Sequence, residues 1–365
     1  MKWSRFIPLM LSLAIPAQAS VLSDAANTLQ PGQSVKLNTT LSGSLVNNVP
    51  GAGSGSILSY GGKGVWDPVR NEARYVGKGG GTGTYLFLVY DEATNVWTNN
   101  RGVPSGISTT SGHGYDGNAV DPSTGDHYYR PYYGTPRRVY KWTSATRVWS
   151  QLPDLNANNG FSCCGSLEWI SGQGLFSIDG RGGWLQRFNG SAWANVYDLG
   201  TTSTGYHEIG SYESDSGIMV FGGGNSGQAY RRDPNGSINA INGCAFDFSS
   251  AAANGVGNVT ADPGPGSKFV AFFLETGNWY EYDAAADSCS NQLAARSAAN
   301  PTVPANGTPP LGAGPGVPNE IDIPIPEYGV ILFVQENGSN DGAVWVYRHS
   351  GAPSGPPPPP VLQLE

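Results

Sequence analysis

Short apolar runs alternate along the chain with turns rich in Gly, Asp, Asn and Pro. Within many runs, apolar and polar residues alternate with the period of a half-buried strand. Sustained 3.6-residue periodicity is missing, so the pattern predicts strands and hairpins. The hairpins repeat. A unit of roughly 45–60 residues recurs, the period of a four-stranded repeat. Each copy holds an apolar strand a, a Gly, Pro or Asp turn, an apolar strand b ending in Gly, and an aromatic strand c. The first copy reads GGKGVWDPVRNEARYVGKGGG then YLFLVYDEATNVW. The second reads GHGYDGNAVDPSTGDHYYRPYYG then RRVYKWTSATRVW, and four more follow. Strand c carries Val89-Tyr90, Val139-Tyr140 and Tyr280-Glu281-Tyr282; strand d carries Trp97, Trp149 and Trp193.

Four strands per unit predict an all-β fold, a six-bladed β-propeller. A seventh blade arises if residues 294–316 hide a strand; that stretch reads as a long loop. The sixth copy lacks a strand d, and Ser34–Thr40 (SVKLNTT) is expected to supply it, closing the ring and removing an edge. The IMVFGGG run at Ile218–Gly224, with Tyr206-His207 before it and Tyr230 after, resembles the kelch repeat. The resemblance covers about residues 55–349 and implies a kelch-like propeller.

Composition agrees with this reading: 52 Gly, 27 Pro, 18 Tyr, 10 Trp and 12 Phe, with only 13% charged residues. Such a chain makes poor helices and good strands. The net charge is −8 and no basic stripe occurs, so no nucleic-acid partner is expected. Arg137-Arg138 and Arg231-Arg232 are too short to change that and read as solvated turns.

Residues 1–19 read as a secretory signal. Lys2 and Arg5 precede an apolar stretch from Phe6 to Ile15, and Ala17-Gln18-Ala19 is a small-x-small cleavage site. The mature chain then starts at Ser20 and is extracellular or periplasmic, with no membrane association. Residues 20–350 form the propeller, expected to be a monomer. Residues 351–365, with five consecutive prolines, form a stiff tail or a linker. Export permits disulfides. Cys163, Cys164, Cys244 and Cys289 allow three connectivities. Cys244–Cys289 is favoured because the two flank one repeat, which leaves the adjacent Cys163 and Cys164 to each other. Six Asn-x-Ser/Thr sites, Asn189 and Asn235 among them, read as hairpin turns.

Chemistry is expected at the mouth where strands a begin and strands b end. Aligned repeats bring there His113, Tyr115, Cys163, Cys164, Tyr206, His207, Glu208 and Asn258 from strand a, and Lys78, Arg130, Tyr132, Tyr133, Arg181 and Asn225 from strand b. Pairing residue 120 with 126 would set His113 opposite Tyr133. His127 reads as packed, and His349 as incidental. In the run His127–Tyr133, alternation sends Tyr129 and Tyr133 to one blade face and Tyr128, Arg130 and Tyr132 to the other.

The set resembles propeller polysaccharide lyases of the ulvan lyase type. That resemblance implies β-elimination on a uronate polysaccharide. His113 and Tyr133 would be base and acid, Arg181 would hold the carboxylate, and Tyr206 and His207 would line the site. Tyr115, Arg130, Tyr132, Glu208 and Asn225 would bind substrate. The chain has six blades rather than that family's seven. A second reading is a non-catalytic module that binds a glycan or a protein. A third is a copper-radical oxidase, because Tyr206-His207 resembles the ligand pair of the galactose oxidase family; no suitable His follows His207. No cofactor is expected, and a structural divalent cation lacks a ligand loop. DPSTGD at Asp121–Asp126 reads as a turn.

Overall fold

The computed structural model describes residues 20–41, 57–58, 61–78, 85–107, 114–131, 137–156, 165–179, 183–199, 208–223, 228–242, 244, 257–273, 278–289, 320–336 and 342–351. These form six four-stranded antiparallel sheets. Blade one is β2 (Val65–Asp67), β3 (Glu72–Lys78), β4 (Tyr85–Asp91) and β5 (Val96–Thr98). Blade two is β6 (Asn118–Val120), β7 (His127–Tyr129), β8 (Tyr140–Thr143) and β9 (Val148–Gln151). Blade three is β10 (Ser166–Ile170), β11 (Gly174–Ile178), β12 (Trp184–Phe188) and β13 (Trp193–Asp198). Blade four is β14 (Glu208–Glu213), β15 (Ile218–Gly223), β16 (Ala229–Arg232) and β17 (Ile238–Ala240). Blade five is β18 (Gly257–Ala261), β19 (Lys268–Phe273), β20 (Asn278–Asp283) and β21 (Ser288–Cys289). Blade six is β22 (Glu320–Ile325), β23 (Val330–Glu336), β24 (Gly342–Arg348) and the N-terminal β1 (Gln33–Lys36).

The innermost strands touch in the order β2, β6, β10, β14, β18, β22 and back to β2, so the ring closes with six blades. Middle strands lie between neighbouring blades and are covered on both faces. This is why β15 (IMVFGG) is buried at every position and reads as a continuous apolar run. Outer strands have one dry face, and their patterns become mixed, as in β13.

Closure follows the sequence expectation. Strand β1 pairs with β24, Val35 opposite Val346, and caps the edge of blade six. A helix, α1 (Val21–Thr28), precedes it; the sequence pattern did not reveal it because eight residues carry too little periodicity. Ser20 caps α1, and Leu22 and Ala26 enter the core of the closing blade. The fully buried Arg348 donates to the carbonyls of Ala26, Leu29, Tyr328 and Gly329, binding the end of α1 to blade six.

The c–d hairpins reuse one device. The Tyr90 hydroxyl donates to Asn95 Oδ1, and the Tyr282 hydroxyl to Asp287 Oδ1, both at 2.9 Å. Asn95, Arg147 and Asp287 hold the same left-handed position (φ 56°, 58° and 48°), where a short polar side chain is tolerated best. Asn189 and Asn235 cap their own turns through Ser191 and Ser237, as expected. Asp121 likewise folds DPSTGD into a hairpin by accepting from Ser123.

Cys244 and Cys289 form a disulfide that fastens the end of blade four to strand β21. Cys163 and Cys164 lie outside the described residues. The basic pairs correct one expectation. Arg137 and Arg232 are buried, not solvated: Arg137 pairs with Asp179, and Arg232 donates to Gln173 Oε1 at 2.6 Å. Each side chain meets blade three, Arg137 from blade two and Arg232 from blade four, a neighbour that the local sequence does not display. No described helix is long and apolar enough to cross a membrane.

Candidate functional site

A polar seam runs from the axis to the interface of blades one and two. At the axis, Lys63 of blade one reaches blade three, where Nζ donates to Glu168 Oε2 at 2.6 Å and to the Leu167 carbonyl at 2.5 Å. It also donates to the Gly210 carbonyl of blade four at 2.9 Å. Asp116 of blade two accepts from the Lys63 amide and the Gly210 amide, both at 3.1 Å. Asp322 of blade six accepts from Asn258 Nδ2 at 2.8 Å, while its Oδ2 has no hydrogen-bond partner among the described residues.

Three carboxylates thus share one ammonium in a closed interior. Burial pushes the Asp322 carboxyl up to about 8, and the nearby Asp116 charge adds to the rise. Burial likewise raises Asp116, to about 6, against the opposing pull of Lys63. Glu168 is raised by burial as well. At neutral pH Asp322 therefore keeps its proton, which relieves the excess of negative charge. Among the described residues no group of three His, Cys, Asp or Glu could hold a metal ion.

Further out, Tyr75 lies against the backbone of Gly114, whose missing side chain makes room for its hydroxyl. The Tyr75, Tyr85 and Tyr129 hydroxyls are buried, and none makes a hydrogen bond of normal length among the described residues. Tyr85 and Tyr129 meet edge to face with ring centres 5.9 Å apart. Lys78 stands 5.7 Å from the Tyr85 ring centre. Burial raises all three tyrosines, Tyr85 to about 12, so they hold their protons. Burial lowers Lys78.

The expected site residues distribute unevenly. His113, Tyr132, Tyr133, Arg181, Tyr206, His207 and Asn225 lie outside the described residues, and of Glu208 only the strand position is described. His113 immediately precedes Gly114 in the chain, and Tyr133 follows Pro131 by two. Tyr115 is buried with a left-handed backbone (φ 38°) and bridges to Gly61. Arg130 faces the next blade rather than the mouth: it is 3% exposed and donates to Ser177 Oγ, the Ile178 carbonyl and Asp179 Oδ1.

The predicted alternation holds over the described Tyr128, Tyr129 and Arg130. Tyr128 stacks on Trp169 of blade three, while Tyr129 turns to Tyr85 of blade one. The register is shifted by one: Val120 pairs with His127, not with residue 126, because Asp121 closes the hairpin on Asp126. The pairing that set His113 opposite Tyr133 is therefore not the observed one. His127 is buried, held on Asn118 Oδ1 at 3.1 Å, and kept well below its ordinary pKa by burial. His349 is engaged, lying 2.8 Å from Glu281 and 3.0 Å from the Tyr347 hydroxyl.

No sequence motif singles out Lys63, Asp116, Glu168 and Asp322. Their signal was a charge at the start of a strand a in a chain poor in charge.

No protein-family model matches the chain, and no curated protein matches it. Solved structures do resemble it. Streptogramin B lyase shares 12% identity with a TM-score of 0.46, covering 76% of each chain. A structural genomics protein of unknown function from Bacteroides thetaiotaomicron VPI-5482 shares 13% with a TM-score of 0.47, covering 86% of this chain and 76% of its own. TolB from Acinetobacter baumannii shares 12% with a TM-score of 0.35, covering 80% of this chain and 57% of its own. These likenesses concern the fold alone: the chain is a six-bladed β-propeller.

Proposed function

We propose that the chain is an exported propeller whose mouth, beside blades one and two, cleaves a uronate-containing polysaccharide by β-elimination. The supporting observation is the seam of buried Tyr75, Tyr85 and Tyr129 hydroxyls and Lys78, with Gly114, the residue after His113 in the chain, packed on Tyr75. In this reading His113 takes the proton α to the uronate carboxylate. The electron pair forms the new C=C bond, the bond to the glycosidic oxygen breaks, and Tyr133 returns a proton to that oxygen. Such a step needs a base near neutral pKa and a cation on the developing negative charge. Arg181 supplies the cation, and Tyr206 and His207 line the mouth.

The test is incubation of the purified chain with uronate and neutral polysaccharides, following the ultraviolet absorbance of the unsaturated product. A rise with one polymer supports the reading, and His113→Ala with Tyr133→Phe should abolish it. Unchanged turnover in that double variant overturns the assignment.

Non-catalytic glycan binding is the second reading. It is supported by buried tyrosines that keep their protons and so supply no base. Flat absorbance with retarded migration in a polysaccharide gel selects it.

A further inference from the structure

The first described residue, Ser20, is built into the fold. Its hydroxyl accepts from the Ser23 amide at 2.9 Å, and its own amide donates to Ser23 Oγ at 2.9 Å. The same hydroxyl donates to Glu92 Oε1, which also accepts from the Tyr328 hydroxyl at 2.6 Å. Glu92 is 4% exposed, and its Oε2 is buried with no hydrogen-bond partner among the described residues. Among the described residues the groups facing this carboxylate are Ser20 and Tyr328, with Asp91, Tyr90 and Glu327 acting on it or feeling its charge. None of these is a cation, and burial raises the Glu92 pKa. A buried carboxylate without a cation is expensive.

We propose that hydrolysis of the Ala19–Ser20 peptide bond creates an α-ammonium that docks on the buried Glu92 carboxylate, so that leader removal completes the fold. The inference rests on reading residues 1–19 as a signal. A leader peptidase adds one water: the C–N bond breaks, Ala19 takes the hydroxyl, and Ser20 nitrogen takes the proton and gains another from solvent. While the peptide bond is intact, the Ser20 nitrogen has one hydrogen, and Ser23 takes it. The ammonium has three, enough to keep Ser23 and serve Glu92. An ammonium at a helix start opposes the helix dipole, which only an adjacent anion offsets. Arg348 anchors the other end of α1 and fixes the position of Ser20.

The test compares two chains released from a fusion, one beginning at Ser20 and one retaining Ala19. The Ser20 chain should unfold roughly 2–5 °C higher at neutral pH. Glu92→Gln should lower the Ser20 chain and leave the extended chain unchanged, and acetylating Ser20 should reproduce the extension. Equal melting points, or equal loss from Glu92→Gln in both chains, overturn the ion pair. The intact mass of the exported chain tests processing separately. A mass placing the N-terminus elsewhere overturns the cleavage step.

Discussion

Lys63 of blade one crosses the axis to Glu168 of blade three, Nζ to Oε2 2.6 Å, with both side chains nearly closed to solvent. Removing the cation leaves buried carboxylates facing each other. Lys63→Met should cost about 3–5 kcal/mol. Lys63→Met with Glu168→Gln should recover part of that loss, since it removes the stranded charge. Chemical denaturation of both variants measures the difference, and an additive loss would refute the pairing.

The axial carboxyls predict a pH dependence. Asp322 stands at about 8 and Asp116 at about 6 in the fold, both above the ordinary carboxyl value of 3.8. The folded state then binds more protons than the unfolded state between these limits. Their stabilising contribution is present at low pH and is lost as pH rises through about 6 and about 8. Asp322→Asn should flatten the loss between about pH 6 and about 8, where Asp322 is the axial carboxyl that still holds its proton in the fold. Melting temperature against pH reads this directly, and an unchanged slope in the variant contradicts the assignment.

The Cys244–Cys289 bridge closes a separation of 45 residues. Replacing both cysteines with serine should lower stability by about 2–4 kcal/mol, chiefly by freeing the unfolded chain. Blades four and five should gain amide exchange first, since the bridge joins them. Uniform protection across the ring would argue against a local staple.

Gly114 has no room for a side chain, because a Cβ there would run into Tyr75. Gly114→Ala should cost about 1–3 kcal/mol through overpacking. If the proposed lyase reading holds, it should also reduce action on polysaccharide, since His113 is the preceding residue. Combining it with Tyr75→Leu makes space and should restore part of the stability. If the double variant is no better than the single, the contact is not the cause.

Several features were legible in the order of residues. Hairpin spacing revealed the six repeats, because strand alternation and turn chemistry are local. Tyr128 and Tyr129 could be sent to opposite faces by parity alone, and they pack on opposite neighbours. The missing outer strand of blade six pointed to an N-terminal closure, found as β1 pairing from the end of β24, with Gln33 opposite Arg348. Cysteines flanking one repeat pointed to the bridge.

Other features depended on which blade stands beside which. The register of β6 on β7 turned on whether Asp121 belongs to the turn, and one residue was enough to change every opposite partner. Arg130 and Arg137 read as mouth or surface residues, yet both converge on Asp179, which is 49 and 42 positions away. Lys63 and Glu168 are separated by 105 positions and meet only because the ring brings blades one and three to a common axis. The sequence by itself determined the strands, the turns and the number of blades, since short-range sterics and hydrophobic parity decide those. The tertiary structure alone decided which charges share the interior, because that depends on distances set by closing the ring.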